Sequence, residues 1–438
     1  MLNKRILLVY GSEDKWIAQV ASDIAACAED MGIEFFALGQ GERFGIPKSV
    51  YLDVNALPQK FLAYIRGPKH ISAAICTPDD VSLERRFRGY NLEDVGDEIC
   101  RDMTGWANTA SLVYKTVQPD LVIVWNGLLH KRKVYAQVAR HLHIPILYAE
   151  KGVLPGSWSL DRSGVNALSI AACRNTFPDV NQNEVIKYIS KIASAGISAW
   201  EQPARIQSGE LKTRLGLPAD KIVVFFPGQI DDDSNIILFS NHFENCFSAV
   251  KWLAEGFRGT KYYLLVKPHP KGKKSLRQYR SLLHGVGQVV GDINVYDAID
   301  VSSCVVSINS SVAFEAAISG KPVVALGRGI LNGKPFVYQY QNMPSAQLIE
   351  KAISQYTEKS RREALCFASW LQKEYYCHLT DIPHTKRILE GLFEGIMVGD
   401  KTFSASEVGF LFDSNPRPFF ADGIARIKRR IKRLLGKC

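Results

Sequence analysis

The nine cysteines of this chain are odd in number and scattered, and no two of them form a CxxC pair. That pattern argues against a disulfide-stapled scaffold and against a zinc site, and points to a reducing compartment, the cytoplasm. Long apolar runs are missing too: no stretch of 18 uninterrupted apolar residues occurs, so no segment reads as a membrane-spanning helix. The start, MLNKRILLVYGSEDKW, has only the short apolar run Ile6–Tyr10 and no small-residue cleavage site, and reads as a first strand and not a signal peptide. No internal repeat or low-complexity tract is visible. What is present is a globular composition, 46% hydrophobic, 10% aromatic and 22% charged over 438 residues. It excludes a disordered or collagenous chain and is long enough for two domains.

Net charge is small over most of the chain. Of the formal +10, the segment 417–438 carries the larger part, with eight Lys or Arg against the single acid Asp422. In GIARIKRRIKRLLGKC (423–438), Ile424, Ile427, Ile431, Leu434 and Leu435 share one helical face and the cations take the rest. A basic amphipathic helix of this kind reads as a membrane-surface element. Nucleic-acid binding is the competing reading of a Lys/Arg run, and the regular apolar stripe with a balanced body favours the membrane. A helix that packs on a further domain is the third reading.

Along the chain, β-rich runs alternate with helical periodicity. Arg5–Tyr10, Leu121–Trp125 and Ile144–Ala149 read as strands, with helices at Trp16–Met31 and Arg132–His143. After the stretch 202–221 a second series begins. Its strands are Ile222–Phe226, Tyr262–Val266, Cys304–Ile308 and Val323–Leu326, with helices at Phe243–Glu255, Leu276–Leu283, Val312–Ile318, 346–354, 358–376 and 385–397. Strand, helix, strand at this spacing builds parallel sheets. The expected fold is α/β, with two Rossmann-like doubly wound domains, 1–205 and 206–398, followed by a linker and the basic helix in 399–438. Two such domains facing a cleft resemble the GT-B architecture.

In open α/β sheets ligands gather at the carboxyl ends of strands, and four such ends carry polar residues. FFPGQIDDDSN (225–235) puts three carboxylates after a PG turn; they read as a solvated loop or cap, as a DxD-like metal site, or as one carboxylate aimed into the cleft. LLVKPHPKGKK delivers Lys267 and His269 between prolines that fix the backbone, where His269 suits a phosphate contact or proton donation to a leaving group. SINSSVAFEAAISGKPVVALGR (307–328) places Asn309, Ser310 and Ser311 at a helix start, as ordinary caps or as anion donors. Glu315 shares the face of Ser311 and suits a ribose diol or the surface. In the first half, Asn126 closes one strand and Glu150 the next, so both belong on one edge of a sheet. The stretch after Glu150, with Lys151, Asp161, Arg162 and Asn166, reads as a binding loop or a plain surface loop.

The order PGQxxDD, KPHP, NSSxxxE and GKPVxxLGR, with AEKGxLPxxxxxDxxGVNAxS before it, resembles the bacterial capsule-polysaccharide and lipopolysaccharide β-Kdo transferases, which are retaining GT-B enzymes using CMP-Kdo. The resemblance covers residues 120–330, and the HP and SS elements are also similar to CMP-sialic acid transferases. It implies Kdo transfer with two displacements, with Asp232 as the nucleophile that carries the sugar and Asp231 and Asp233 pointing elsewhere. His269, Ser310 and Ser311 would hold the CMP phosphate and Glu315 the ribose. Gln229, Asn309, Lys267 and Arg328 complete the donor side, the last two as counter-charges for the aspartates and for the donor's carboxylate and phosphate. Glu150 would be the base that activates the acceptor, with Asn126, Asp161 and Asn166 on the acceptor side. No metal or other cofactor is implied. The expected partners are a CMP-sugar, a glycan or glycolipid acceptor, the inner-membrane surface, and other polysaccharide-assembly enzymes or domains. The rival readings are an inverting CMP-sialic acid-type transferase, a UDP-sugar transferase or epimerase, and a non-catalytic GT-B-like module.

Overall fold

The computed structural model describes residues 4–10, 15–39, 51–53, 77–88, 96–197, 202–206, 208–272 and 274–398. The basic helix expected in 423–438, and the linker before it, lie outside the described residues.

Thirteen strands are described. They are β1 (Arg5–Val9), β2 (Glu34–Gly39), β3 (Tyr51–Asp53), β4 (Leu121–Trp125), β5 (Ile146–Lys151), β6 (Ser157–Asp161), β7 (Ile222–Pro227), β8 (Tyr262–Lys267), β9 (Gly287–Val289), β10 (Cys304–Ser307), β11 (Val323–Ala325), β12 (Val337–Gln339) and β13 (Tyr376–His378). They form two sheets, β13-β6-β5-β4-β1-β2-β3 and β12-β11-β10-β7-β8-β9. The second sheet is parallel throughout and has the doubly wound order of a Rossmann fold. The first has the same order through its parallel part, and adds β6 and β13 antiparallel at one edge. Central strands such as LVIVW and IVVFFP are almost wholly buried, because helices cover both faces of a parallel sheet. This is the α/β fold that the sequence implies, with two Rossmann-like halves.

Two differences follow from long-range pairing. The stretch after Glu150 is not all loop, since Ser157–Asp161 is a strand paired to β5. The segment 206–398, expected to form the second domain alone, returns β13 to the first sheet, where Tyr376, Cys377 and His378 pair with Ser159, Trp158 and Ser157. The halves also share core. Leu154, Ala171, Val185 and Ile189 pack in the cluster built around Phe314 and Phe367, while Phe239 joins the cluster of Leu7, Val122 and Tyr148. Met1–Phe393 accordingly form one compact unit. Cys27, Cys173, Cys246, Cys304, Cys366 and Cys377 are free thiols, but Cys100 is disulfide-bonded, which departs from the expectation of nine reduced cysteines. No helix among the described residues is long and apolar enough to cross a membrane.

Candidate functional site

In each sheet the strand order reverses at one place, between β1 and β4 and between β7 and β10. Ligands of doubly wound sheets bind beside such a switch point. The residues that follow β7 and β10 are Gly228–Asp233 and Ile308–Ser311, two of the elements singled out in the sequence.

The β7 turn is pressed against the KPHP segment. A Cβ on Gly228 would lie 2.8 Å from the His269 backbone nitrogen and 2.9 Å from the Pro268 Cα, so only glycine lets the two turns meet. Beyond it, Gln229 and Asn309 exchange hydrogen bonds: Gln229 Nε2 donates to Asn309 Oδ1 at 2.8 Å, and the Asn309 N–H donates to Gln229 Oε1 at 3.0 Å. Asn309 Nδ2 also donates to the carbonyls of Asn235 and Arg328. Both amides, expected to contact the donor, instead hold three loops together around the switch point.

The aspartate run diverges. Asp231 Oδ1 accepts from the Cys246 N–H at 2.8 Å. Asp233 caps the short helix Ser234–Phe239 by accepting from the Asn235 N–H at 2.8 Å. Asp232 lies between them, one residue before the cap, half-buried. Asp233 also interacts electrostatically with Asp232, with His269 and with Glu150 of the other half. Burial is the main cause that raises the Asp233 pKa. Among the described residues, no three His, Cys, Asp or Glu side chains are grouped to hold a metal ion.

His269 Nδ1 accepts the Lys271 N–H at 3.1 Å, which leaves the proton of the neutral ring on Nε2. Burial, with Lys271 and Lys267 nearby, lowers its pKa. Lys267 Nζ donates to Gln202 Oε1 at 2.7 Å, and its charged neighbours are Asp292 and Glu315. Glu315 is only 2% exposed, and Tyr296 is a further electrostatic neighbour. Ser310 caps the helix Ser311–Ile318, accepting the Val312 N–H, and its own N–H reaches Ser307 Oγ at 2.9 Å. Ser311 opens that helix, half-buried. Arg328 is half-buried in the loop after β11, its N–H donating to the Phe239 carbonyl.

On the other wall, Asn126 and Glu150 meet at the ends of β4 and β5, as consecutive strand ends should. Asn126 Nδ2 donates to Glu150 Oε2 at 2.6 Å, and Asn126 Oδ1 accepts the Leu128 N–H. Asn126 holds a positive φ of 62°, which asparagine tolerates better than most residues. Its side chain is thus committed to aiming Glu150. Burial is the largest cause that raises the Glu150 pKa, opposed by the Asn126 and Lys151 hydrogen bonds and by Arg132. Asp161, expected on the acceptor side, has no exposed surface. Its carboxylate accepts from Tyr375 Oη at 2.7 Å and from the N–H groups of Ser163, Gly164 and Ile170. It organises the turn after β6 and has no capacity left for a ligand. Asn166 starts the short helix Asn166–Leu168, half-buried. Arg132 and Gln202 were not singled out from the sequence. The one available signal for Arg132 was its place at the start of a helix that follows a strand end.

The site therefore joins Asp232, Asp233 and His269 from one half to Glu150, Asn126 and Arg132 from the other, beside the Ser310–Ser311 helix start. Residues 166–348 match the family of capsule polysaccharide biosynthesis proteins. Protein FixF of Sinorhizobium fredii is 26% identical over 229 residues, 51% of this chain and 52% of that protein, so the match spans about half of each. Among solved structures, the chain is similar to two of KpsC from Thermosulfurimonas dismutans. One is its beta Kdo 2,7 transferase (16% identity, 72% of this chain and 97% of that one, TM-score 0.39). The other is its beta Kdo 2,4 transferase (20% identity, 57% and 79%, TM-score 0.42). A UDP-GlcNAc 2-epimerase from Neisseria meningitidis aligns at 12% identity, over 89% of this chain and 100% of that one, with TM-score 0.37. At these TM-scores the solved structures assign neither donor nor mechanism to this chain.

Proposed function

We propose that this chain, whose residues 166–348 match the family of capsule polysaccharide biosynthesis proteins, is a glycosyltransferase that moves Kdo from CMP-Kdo to a glycan acceptor with retention of configuration. The observation that supports this best is the electrostatic coupling of an aspartate pair and a histidine from one half with a half-buried carboxylate from the other. One carboxylate for each of two displacements is what a retaining reaction requires.

In the first step the Asp232 carboxylate bonds to the anomeric carbon while the bond to the CMP phosphate breaks, its electron pair leaving with CMP. His269, neutral with its proton on Nε2, donates a hydrogen bond to that phosphate, and Ser310 and Ser311 add the donors of a helix start. In the second step the acceptor oxygen bonds to the anomeric carbon, its proton passes to Glu150, and the ester bond to Asp232 breaks. A carboxyl group of raised pKa, held by Asn126, is suited to take that proton. The scheme invokes no metal. A lipid-linked acceptor at the inner-membrane surface would suit the basic, apolar-striped sequence of 423–438.

The test is intact mass spectrometry after mixing the protein with CMP-Kdo and no acceptor, followed by peptide mapping. A gain of one Kdo on Asp232 is the expected result. Acceptor-dependent CMP release with no adduct would instead favour an inverting enzyme with Glu150 as its base. Absence of both would refute the donor.

A further inference from the structure

We propose that Arg132 receives the carboxylate of the donor's sugar. The assignment rests on the reading above in one respect, that the donor is a nucleotide-activated 2-keto sugar acid. In such a sugar the carboxylate is bonded to the same carbon that exchanges its phosphate for a new partner. Its counter-charge must therefore come from the wall around Asp232, Asp233 and Glu150, and not from the phosphate cradle. That wall already gathers three carboxyl groups. A fourth negative charge brought in by the substrate would be repelled unless a cation stood there.

The two cations expected for this task both belong to the half that carries the second sheet. Lys267 is bonded to Gln202 and faces Asp292 and Glu315. Arg328 belongs to the loop after β11, where its carbonyl accepts from Asn309. Arg132 is the cation next to Glu150. It sits in the first turn of the helix His130–His141, which begins just after the Asn126–Gly127 turn at the end of β4. Arg132 is half-buried, as a residue lining a crevice is. Among the described residues, none accepts a hydrogen bond from it; Glu150 acts on it through charge alone. A half-buried guanidinium with its planar fork of donors still open is matched by one ligand chemistry above others, a carboxylate taken with two parallel hydrogen bonds. A contact of this kind would also draw the anomeric carbon towards Glu150, on the side from which an acceptor must approach.

The experiment compares wild type with Arg132→Gln and Arg132→Lys on CMP-Kdo and on its carboxamide analogue, which keeps the shape and lacks the charge. CMP alone should raise the melting temperature of all three proteins equally, which shows that the variants fold and keep the nucleotide site. The expected result is that Arg132→Gln loses about 100-fold in kcat/KM on the acid donor. It should also lose the wild-type preference for acid over amide, while Arg132→Lys recovers part of both. An Arg132→Gln protein that keeps the preference and turns over the acid donor near the wild-type rate would overturn the assignment and leave the enzyme reading intact. A wild type that neither responds to CMP nor releases it from CMP-Kdo would overturn the donor itself.

Discussion

Lys334 offers the sharpest physical test of how the halves are joined. It is 2% exposed, and among the described residues no carboxylate accepts from its ammonium. Nζ donates to the Ala172 carbonyl at 2.9 Å and to Asn175 Oδ1 at 3.4 Å, and it lies over the rings of Phe177 and Phe367. Burial pushes its pKa from 10.5 to about 8, with the nearby Cys173 thiol acting weakly in the other direction. A lysine depressed in the fold binds its proton more weakly there than in the unfolded chain, so it destabilises the protein below pH 8 and ceases to do so above 10.5. At 1.36 kcal/mol per pK unit, the penalty at neutral pH is about 3 kcal/mol. Lys334→Met removes that penalty and leaves the Ala172 carbonyl without its donor, which costs about 1–3 kcal/mol. The variant should therefore lie within about 2 kcal/mol of wild type at pH 7. The decisive quantity is the difference between the two proteins in urea denaturation, because other titrating groups cancel in it. From pH 7 to 9.5, wild type should gain about 2 kcal/mol on Lys334→Met. A difference that stays flat, or moves in favour of the variant, would refute the claim that an uncompensated ammonium is buried between the halves.

Three further outcomes follow from the same geometry. Gly228→Ala drives a Cβ into the backbone of Pro268 and His269, so donor turnover should collapse together with a stability loss of about 1–3 kcal/mol, read by thermal melting and CMP release. Asp161→Asn turns an amide N–H towards N–H groups that now find a carboxylate; it should lower stability by about 1–3 kcal/mol in denaturant titration while CMP still protects the folded protein. The acidic limb of the activity profile should lie above the ordinary carboxylate range, because burial raises the Glu150 pKa. Asn126→Gly, which tolerates the positive φ, removes a bond that favours the charged form and should move that limb to still higher pH.

Much of the framework was legible from local pattern. Strands such as IVVFFP and LVIVW read directly, since parallel strands covered on both faces are continuous apolar runs. The juxtaposition of Asn126 and Glu150 followed from strand order alone. What could not be read depends on contacts distant in sequence. Asp161 looks like a loop carboxylate until Tyr375, 214 residues later, donates to it. Tyr376–His378 is too short to announce a strand, and its partner β6 lies more than 200 residues upstream. Gln229 and Asn309 are recognisable as strand-end polar residues, but their mutual exchange appears only when β7 and β10 are side by side.

The return of β13 to the first sheet bears on how this protein is made. On the ribosome the amino-terminal half emerges first and would ordinarily fold as a unit. Here its outermost strand, β6, must wait until residues 376–378 have been synthesised. During that interval β6 is a bare edge, with unpaired N–H and C=O groups open to any passing strand. A fragment ending near residue 205 would be locked in that exposed state, so the two halves are not separable pieces of chain even though each has its own sheet. Nascent-chain folding and chaperone dependence, more than the stability of the finished molecule, are where this stitch should be felt.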